Sequence, residues 1–236
     1  MKIITWNCNM AFRKKAEFIL IENPDILIIP ECENPERLSF GPNTRQPNDT
    51  FWYGNNPHKG IGVFSFGDFK IKLLDIHQPE FRYILPLSIY NEEINLIVFA
   101  IWAQKPEKHS CYTEQIWNAV HFYSHLLDHE NVILAGDFNS NSIWDKPRRV
   151  YNHTHLVDYL KTKNIVSTYH HFHNQLQGQE KDHTLFMYRK IDQPYHIDFC
   201  FVSSNLLDKL ENVEIGTYEK WTIHSDHKPL TVTINI

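Results

Sequence analysis

The sequence predicts an α/β protein built as a layered sandwich, with mainly antiparallel sheets covered by helices. Three observations carry that reading. About ten or more short runs rich in β-branched and aromatic residues are spread along the whole chain. Most are joined by connections of hairpin length. Amphipathic helical segments fall between groups of strands, and such helices need a sheet face to pack on. The 236 residues, 42% of them hydrophobic, suffice for a sizeable core. No linker, repeat or low-complexity stretch divides residues 1–236, so one domain is expected.

Residues 2–8 read as a strand that ends on Asn7. Residues 11–22 have helical spacing, with Phe12, Ala16, Ile19 and Leu20 on one face, and Asn23-Pro24 stops them. The run DILII at 25–29 is apolar throughout, hence a strand buried on both faces, and it leads into Pro30-Glu31. Residues 34–56 are rich in Pro, Asn and Gly and read as a long surface loop, with one short strand at 51–53. Strands at 60–66 and 69–74 flank Gly67-Asp68, a hairpin signal. A second hairpin pairs 83–90 with 94–102. Residues 112–129 form a helix with Ile116, Ala119, Val120, Tyr123 and Leu127 as its stripe. The buried strand that ends in GDFN follows, then a loop over 141–152 and a helix over 153–163. A strand at 166–170, a polar loop at 171–183, and strands at 184–188, 196–202, 213–218 and 229–236 complete the chain.

Bulk properties exclude several classes. Formal charge is 23 minus 28, or −5 with histidine neutral, so the surface as a whole does not attract nucleic acid. A phosphate-bearing substrate would need a local basic patch or metal ions. The four cysteines show no CxxC and three lie in or beside apolar runs. They read as thiols of a reducing compartment, neither disulfides nor a zinc site. Met1 runs straight into KIITWN without the pattern of a signal peptide, and no apolar run has spanning length. A cytoplasmic protein without membrane association is expected, and no protein partner is implied.

Chemistry concentrates at five strand ends: Asn7 in TWN, Glu31 in IIPE, Asp137 with Asn139 in GDFN, Asp198 in HIDF, and Asp226-His227 in SDHKP. An Asx turn closing a strand is the plain alternative for any one of them. Each lies within or beside an apolar run, and a buried carboxylate must be paired or hold a metal. Gathered on one rim, this oxygen-rich set suits one or two hard cations, Mg²⁺ or Mn²⁺ rather than Zn²⁺. Glu31, with Asp226, would ligate the ion. Asp137 would orient and deprotonate water, or help His227 do so. Asn7 and Asn139 would hold phosphoryl oxygens or the metal-bound water. Asp198 would fix the tautomer of His227, which acts either as base partner or as a cation stabilising the transition state.

TWN, IPE, GDFN, HIDF and SDHKP occur in the order and approximate spacing of the endonuclease/exonuclease/phosphatase superfamily, which the chain resembles from about Ile3 to Leu230. The resemblance implies a DNase I-like, four-layer α-β-β-α sandwich and Mg²⁺-dependent hydrolysis of a phosphoester, with Mn²⁺ able to substitute. It implies Glu31, Asn7 and Asp226 as the metal shell, and Asp137, Asn139, Asp198 and His227 as catalytic residues. The chain departs from the family in three places. Trp102 stands where many members carry a second catalytic histidine, which leaves Tyr112, Lys105 or His109 as candidates to protonate the leaving oxygen. Asn9 replaces an acid, and His196 replaces a common arginine.

Candidate substrate contacts are His58 and Lys59 before a strand, Tyr112, Arg148 and Arg149 beyond GDFN, His183 and His196. His58-Lys59 could equally be a plain turn, and Arg148 and Arg149 a solvated face rather than a clamp. The histidines at 170, 171, 173 and 183 lack fixed ligand spacing and carry little weight as a zinc site. The leading expectation is a nuclease or phosphodiesterase acting on DNA or RNA. A small-molecule or lipid-head-group phosphatase of the same fold is the alternative, and a non-catalytic binding module a third.

Overall fold

The computed structural model describes residues 1–38, 40–41, 44–105 and 111–236. In chain order its strands are β1 (Lys2–Thr5), β2 (Ile26–Cys32), β3 (Asp49–Asn56), β4 (Lys59–Ser65), β5 (Lys70–Leu73), β6 (Ile84–Tyr90), β7 (Asn95–Trp102), β8 (Val132–Asp137), β9 (Ile165–Ser167), β10 (Leu185–Phe186), β11 (Pro194–Tyr195), β12 (Asp198–Ser203), β13 (Leu210–Ile215) and β14 (Leu230–Ile234). The helices are α1 (Ala16–Leu20), α2 (Tyr112–Phe122), α3 (His153–Thr162), α4 (Thr168–His173), α5 (Ser204–Leu207) and α6 (Tyr218–Trp221). Two six-stranded sheets form, in the orders β13-β14-β1-β2-β4-β3 and β5-β6-β7-β8-β12-β9, with β10-β11 as a separate ribbon. Antiparallel pairing dominates; β1–β2 and β7–β8 are parallel.

Three apolar clusters mark the interfaces between four layers. Ile3, Ile26, Ile28, Val63, Leu85, Leu87, Val98, Ile133, Ala135, Val202 and Val232 fill the space between the sheets. Phe99, Ile101, Leu134, Phe138, Phe199 and Phe201 face Ile116, Val120, Leu156 and Leu160 of α2 and α3. Ile4, Trp6, Leu27, Ile29 and Phe64 face Phe12, Ile19 and Trp221. Alternation explains how one strand serves two interfaces. Ile26 and Ile28 of β2 point to the other sheet, and Leu27 and Ile29 to the helical layer.

Several expected elements change. The Gly67-Asp68 turn joins no hairpin, because β4 lies in the first sheet and β5 in the second. The chain turns a corner there, held by the Ser65 hydroxyl donating to the Phe69 carbonyl at 2.8 Å. The loop expected over 34–56 gives up its last eight residues to β3, which pairs with β4. The strand expected at 166–170 is β9 followed by α4, so His170, His171 and His173 are helical.

Gly136 is the position where backbone geometry leaves no choice. Its φ is 144°, and a Cβ there would meet the Ile101 carbonyl oxygen of the parallel neighbour at 1.8 Å. Gly136→Ala is expected to cost about 3 kcal/mol or more. Urea denaturation followed by circular dichroism measures it, and an unchanged midpoint would contradict the geometry.

Candidate active site

The strand ends converge on one rim of the sandwich, and register explains how. Asp198, the first residue of β12, lies directly across from Asp137, the last of β8. Trp102, at the end of β7, is the parallel partner of Asp137 on its other side. Two carboxylates therefore sit side by side, a repulsive arrangement that needs a counter-charge. His227 supplies one. It arrives from the segment between α6 and β14, and its Nδ1 is 2.8 Å from Asp198 Oδ2. Asp137, Asp198 and His227 are all buried. Among the described residues they are the one group of His, Cys, Asp or Glu whose ligand atoms lie within 4.8 Å of one another.

Each member is held from behind. Asn7 Nδ2 and Asn139 Nδ2 both donate to Asp137 Oδ2, at 2.9 and 3.0 Å, and the Asn139 amide N–H donates to Oδ1 at 2.9 Å. Thr184 Oγ1 accepts the N–H groups of Ile197 and Asp198, both at 3.0 Å. Ser225 Oγ donates to the Asn7 carbonyl at 2.8 Å and accepts the His227 N–H at 3.0 Å. The Trp6 indole donates to the His227 carbonyl at 2.9 Å. Asp198 Oδ1 is buried without a hydrogen-bond partner.

The electrostatics follow from burial. Desolvation and the neighbouring Asp198 charge push the Asp137 carboxyl up to about 7, against the pull of His227, Asn7 and the Asn139 amide. Burial alone would lower His227, but the Asp198 carboxylate, through charge and hydrogen bond, outweighs it and raises the imidazole to about 10. The site thus holds an imidazolium against a carboxylate, with a second carboxylate ready to take up or release a proton near neutrality.

Glu31 comes from the other sheet. The β2–β4 register shifts between Pro30 and Cys32, and Glu31 has φ 62°. This is a bulge, and bulges re-aim a side chain out of a strand. Glu31 Oε2 is 3.2 Å from Lys59 Nζ. That ammonium also lies 5.1 Å from the centre of the Trp102 ring. Where a second histidine was looked for, the chain therefore has a tryptophan bearing a stacked lysine. Asp226 is half-buried, and its Oδ1 accepts from Asn9 Nδ2 at 2.9 Å.

The expected metal shell of Glu31, Asn7 and Asp226 and the compact trio of Asp137, Asp198 and His227 are thus different sets. The trio is compact because cross-strand register forces it together. Its Asp198–His227 hydrogen bond would have to break before both could ligate one ion.

A cleft of ≈ 280 Å³ opens beside Asn139. Tyr112, Trp144, Leu185, Met187 and Ile197 line it, with Arg149 among its polar residues. Two expected substrate contacts, Tyr112 and Arg149, therefore border the site. Lys59 borders it through Glu31. His58 and Arg148 are exposed, the former in the β3–β4 turn with its N–H on Asn56 Oδ1. His183 is half-buried with its ring 6.3 Å from that of Phe186.

His196 corrects the expectation. It is buried, its Nδ1 meets the Asp182 carbonyl at 2.8 Å, and the Tyr169 ring covers it at 4.6 Å, so it does not face substrate. Lys105 is exposed, and His109 lies outside the described residues.

Asn141 is a site-holding residue that sequence reasoning passed over, and Asn9, Thr184 and Ser225 hold the site in ways it did not assign. A signal existed for Asn141 too, since it stands two residues beyond Asn139 of the GDFN motif.

No family model matches the chain, and no curated protein is significantly similar to it. Solved structures are. The 3′-5′ exonuclease NExo from Neisseria meningitidis superposes with TM-score 0.69 at 17% identity, over 100% of both chains. A 3′ phosphatase variant of NExo from Neisseria, bound to a product DNA hairpin, gives 0.70 at 19% over 100% of both chains. An AP endonuclease from Archaeoglobus fulgidus gives 0.68 at 16% over 100% of both chains. At these identities what is shared is the fold, and it is the four-layer α/β sandwich that the sequence predicts.

Proposed function

We propose that this chain, built on the sandwich it shares with those nucleases, is a divalent-metal-dependent phosphoester hydrolase that cleaves a nucleic-acid backbone. The reading rests on one observation above all: two carboxylates and an imidazolium buried together at the rim, with the bulged Glu31 supplied from the opposite sheet. A purely structural role would favour apolar residues there, because buried ion clusters seldom stabilise a fold. The names of the structural neighbours support the substrate class, and the net charge of −5 favours a local rather than a global attraction to phosphate.

The donors fit a hard divalent cation: carboxylate and amide oxygens with no thiolate, and a Glu31 drawn to the nearest positive charge, Lys59. Held by Glu31 with Asp226 and Asn7, Mg²⁺ or Mn²⁺ would neutralise charge as it builds on the phosphoryl oxygens. Asp137, oriented by Asn7 and Asn139, accepts the proton of the attacking water. His227 has Nδ1 committed to Asp198, which leaves Nε2 to donate to a phosphoryl oxygen. Asp198 keeps that imidazole charged. Tyr112 lines the cleft next to Asn139 and is the side chain best placed to protonate the leaving oxygen.

The test is hydrolysis of plasmid, single-stranded DNA, RNA and bis-p-nitrophenyl phosphate with Mg²⁺, Mn²⁺ or EDTA, with Asp137→Ala and His227→Ala as controls. Metal-dependent cleavage of a polynucleotide that both controls lose is the expected result. Activity on the small ester alone would overturn the nuclease reading in favour of a small-phosphoester hydrolase. No activity with either metal would favour a binding module.

A further inference from the structure

Behind the cleft lies a circuit of buried and half-buried polar side chains that the proposed chemistry does not use. It begins at Ser140, whose Oγ is 2.9 Å from His153 Nδ1. His153 Nε2 is 3.2 Å from Gln177 Oε1, and Gln177 Nε2 is 3.2 Å from His170 Nδ1, which also meets Ser167 Oγ at 2.8 Å. His170 Nε2 is 3.0 Å from Glu180 Oε1. Glu180 Oε1 accepts from the Gly178 N–H at 2.8 Å and from Asn141 Nδ2 at 3.2 Å. The circuit closes at the residue next to the one where it began.

With His153 neutral, Ser140 donates to its Nδ1 and its Nε2 donates to Gln177; the Gln177 amide nitrogen in turn faces His170, whose Nε2 meets the Glu180 carboxylate that Asn141 meets from the other side. Burial supports the neutral form of His153, which it lowers to about 4. Ser140, Asn141, His153, Ser167 and His170 are all buried. A network of this kind holds its members in one arrangement, because a polar group left unpaired away from water is costly.

What the circuit grips is the cleft wall. Asn141 also donates to the His196 carbonyl at 2.8 Å and accepts the Ile143 N–H at 3.0 Å. Ser140, Asn141, Trp144 and Asp145 all line the cleft. A second contact makes the same junction independently. Gly178, at φ 80°, approaches so closely that a Cβ there would lie 2.5 Å from Ser142 Oγ and 3.3 Å from Ile143 Cγ2.

We propose that Glu180 and Gln177 are positioning residues: through this circuit they hold segment 140–145 in the shape that receives the group esterified to the scissile phosphate. The circuit governs how well a polynucleotide binds and leaves the reacting residues untouched. The substrate half of this statement rests on the hydrolase reading above.

The experiment uses the full chain with Glu180→Ala, Gln177→Ala and the conservative Glu180→Gln, which keeps an acceptor oxygen. Two readouts are taken: steady-state kinetics on an oligonucleotide with Mn²⁺, and amide hydrogen exchange over 140–149. Both alanine variants are expected to raise KM about tenfold, keep kcat within about twofold, and speed exchange in 140–149. Glu180→Gln is expected to restore KM. Unchanged exchange at 140–149, kcat falling as far as KM rises, or a lowered melting temperature with neither kinetic constant altered would each overturn the proposal. If the wild type cleaves nothing, the hydrolase reading fails and exchange alone decides the positioning role.

Discussion

Asp198→Asn is expected to lower kcat about 10³- to 10⁴-fold while the protein stays folded. The substitution keeps the shape and removes the charge. Without the charge, burial faces only the weaker pull of Asp137 and Asp226, and the imidazole, held up to about 10 in the wild type, is expected to lose its proton at a much lower pH. Stability is not expected to suffer in proportion, because the same change removes one of two like charges from adjacent strands. The measurement is a pH–rate profile of both proteins on an oligonucleotide. The alkaline limb of the wild type should move several units toward acid in the variant. A variant with unchanged turnover, or with the same profile at reduced amplitude, would show that Asp198 does not act through the charge of His227.

Metal removal is the second large effect. EDTA is expected to abolish turnover, and saturating Mn²⁺ to raise the melting temperature by roughly 5–10 °C, from about 2.7 kcal/mol at a hundredfold excess over Kd and a domain of this size. The pH dependence fixes the sign. In the metal-free protein Asp137 moves from 3.8 in the unfolded chain to about 7, and His227 from 6.5 to about 10. Both raised values mean that the native state binds more protons across these windows, so stability falls as pH rises from about 4 to about 10. A cation held by Glu31, Asp226 and Asn7 adds positive charge beside Asp137, to which Asn7 is hydrogen-bonded, so Mn²⁺ should favour the ionised carboxylate, flatten the slope and release protons on binding. Thermal denaturation at pH 5, 7 and 9 with and without Mn²⁺ tests this, with Glu31→Ala as the variant expected to lose the metal response. A metal-free protein that gains stability toward pH 9 would contradict the assignment.

What could be read from the chain and what could not divide along a physical line. The GDFN strand was legible because a buried run must stop before it can present a carboxylate, and Asp137 and Asn139 do share one side with Phe138 buried between them. The four layers follow from helices interleaved with strand groups. Gly67-Asp68 misled because turn chemistry is local, whereas sheet membership depends on which faces are covered. The strand before it is buried almost throughout, and Lys70 and Lys72 after it are exposed. His170, His171 and His173 carry no period that separates a short helix from a strand. His196 was offered as a substrate contact where the resembled family commonly has an arginine, but the Tyr169 ring and the Asp182 carbonyl cover it. Glu31 was legible as an acid after a strand, but the bulge that turns it was not, since only the partner strand's register reveals it.

Glu31 and His227 hang from one sheet, Asp137 and Asp198 from the other, and the apolar filling between the sheets spaces the two while the Asn7–Asp137 and His227–Asp198 hydrogen bonds tie them. On the proposed function, the thickness of that filling helps set the gap across which a phosphate would be gripped. Val98→Ala or Val232→Ala leaves a cavity between the sheets that the structure fills only in part, and is expected to shift the two rims relative to each other. Such a variant loses turnover before it loses its melting transition, which makes catalysis the finer gauge of how well the interior is packed.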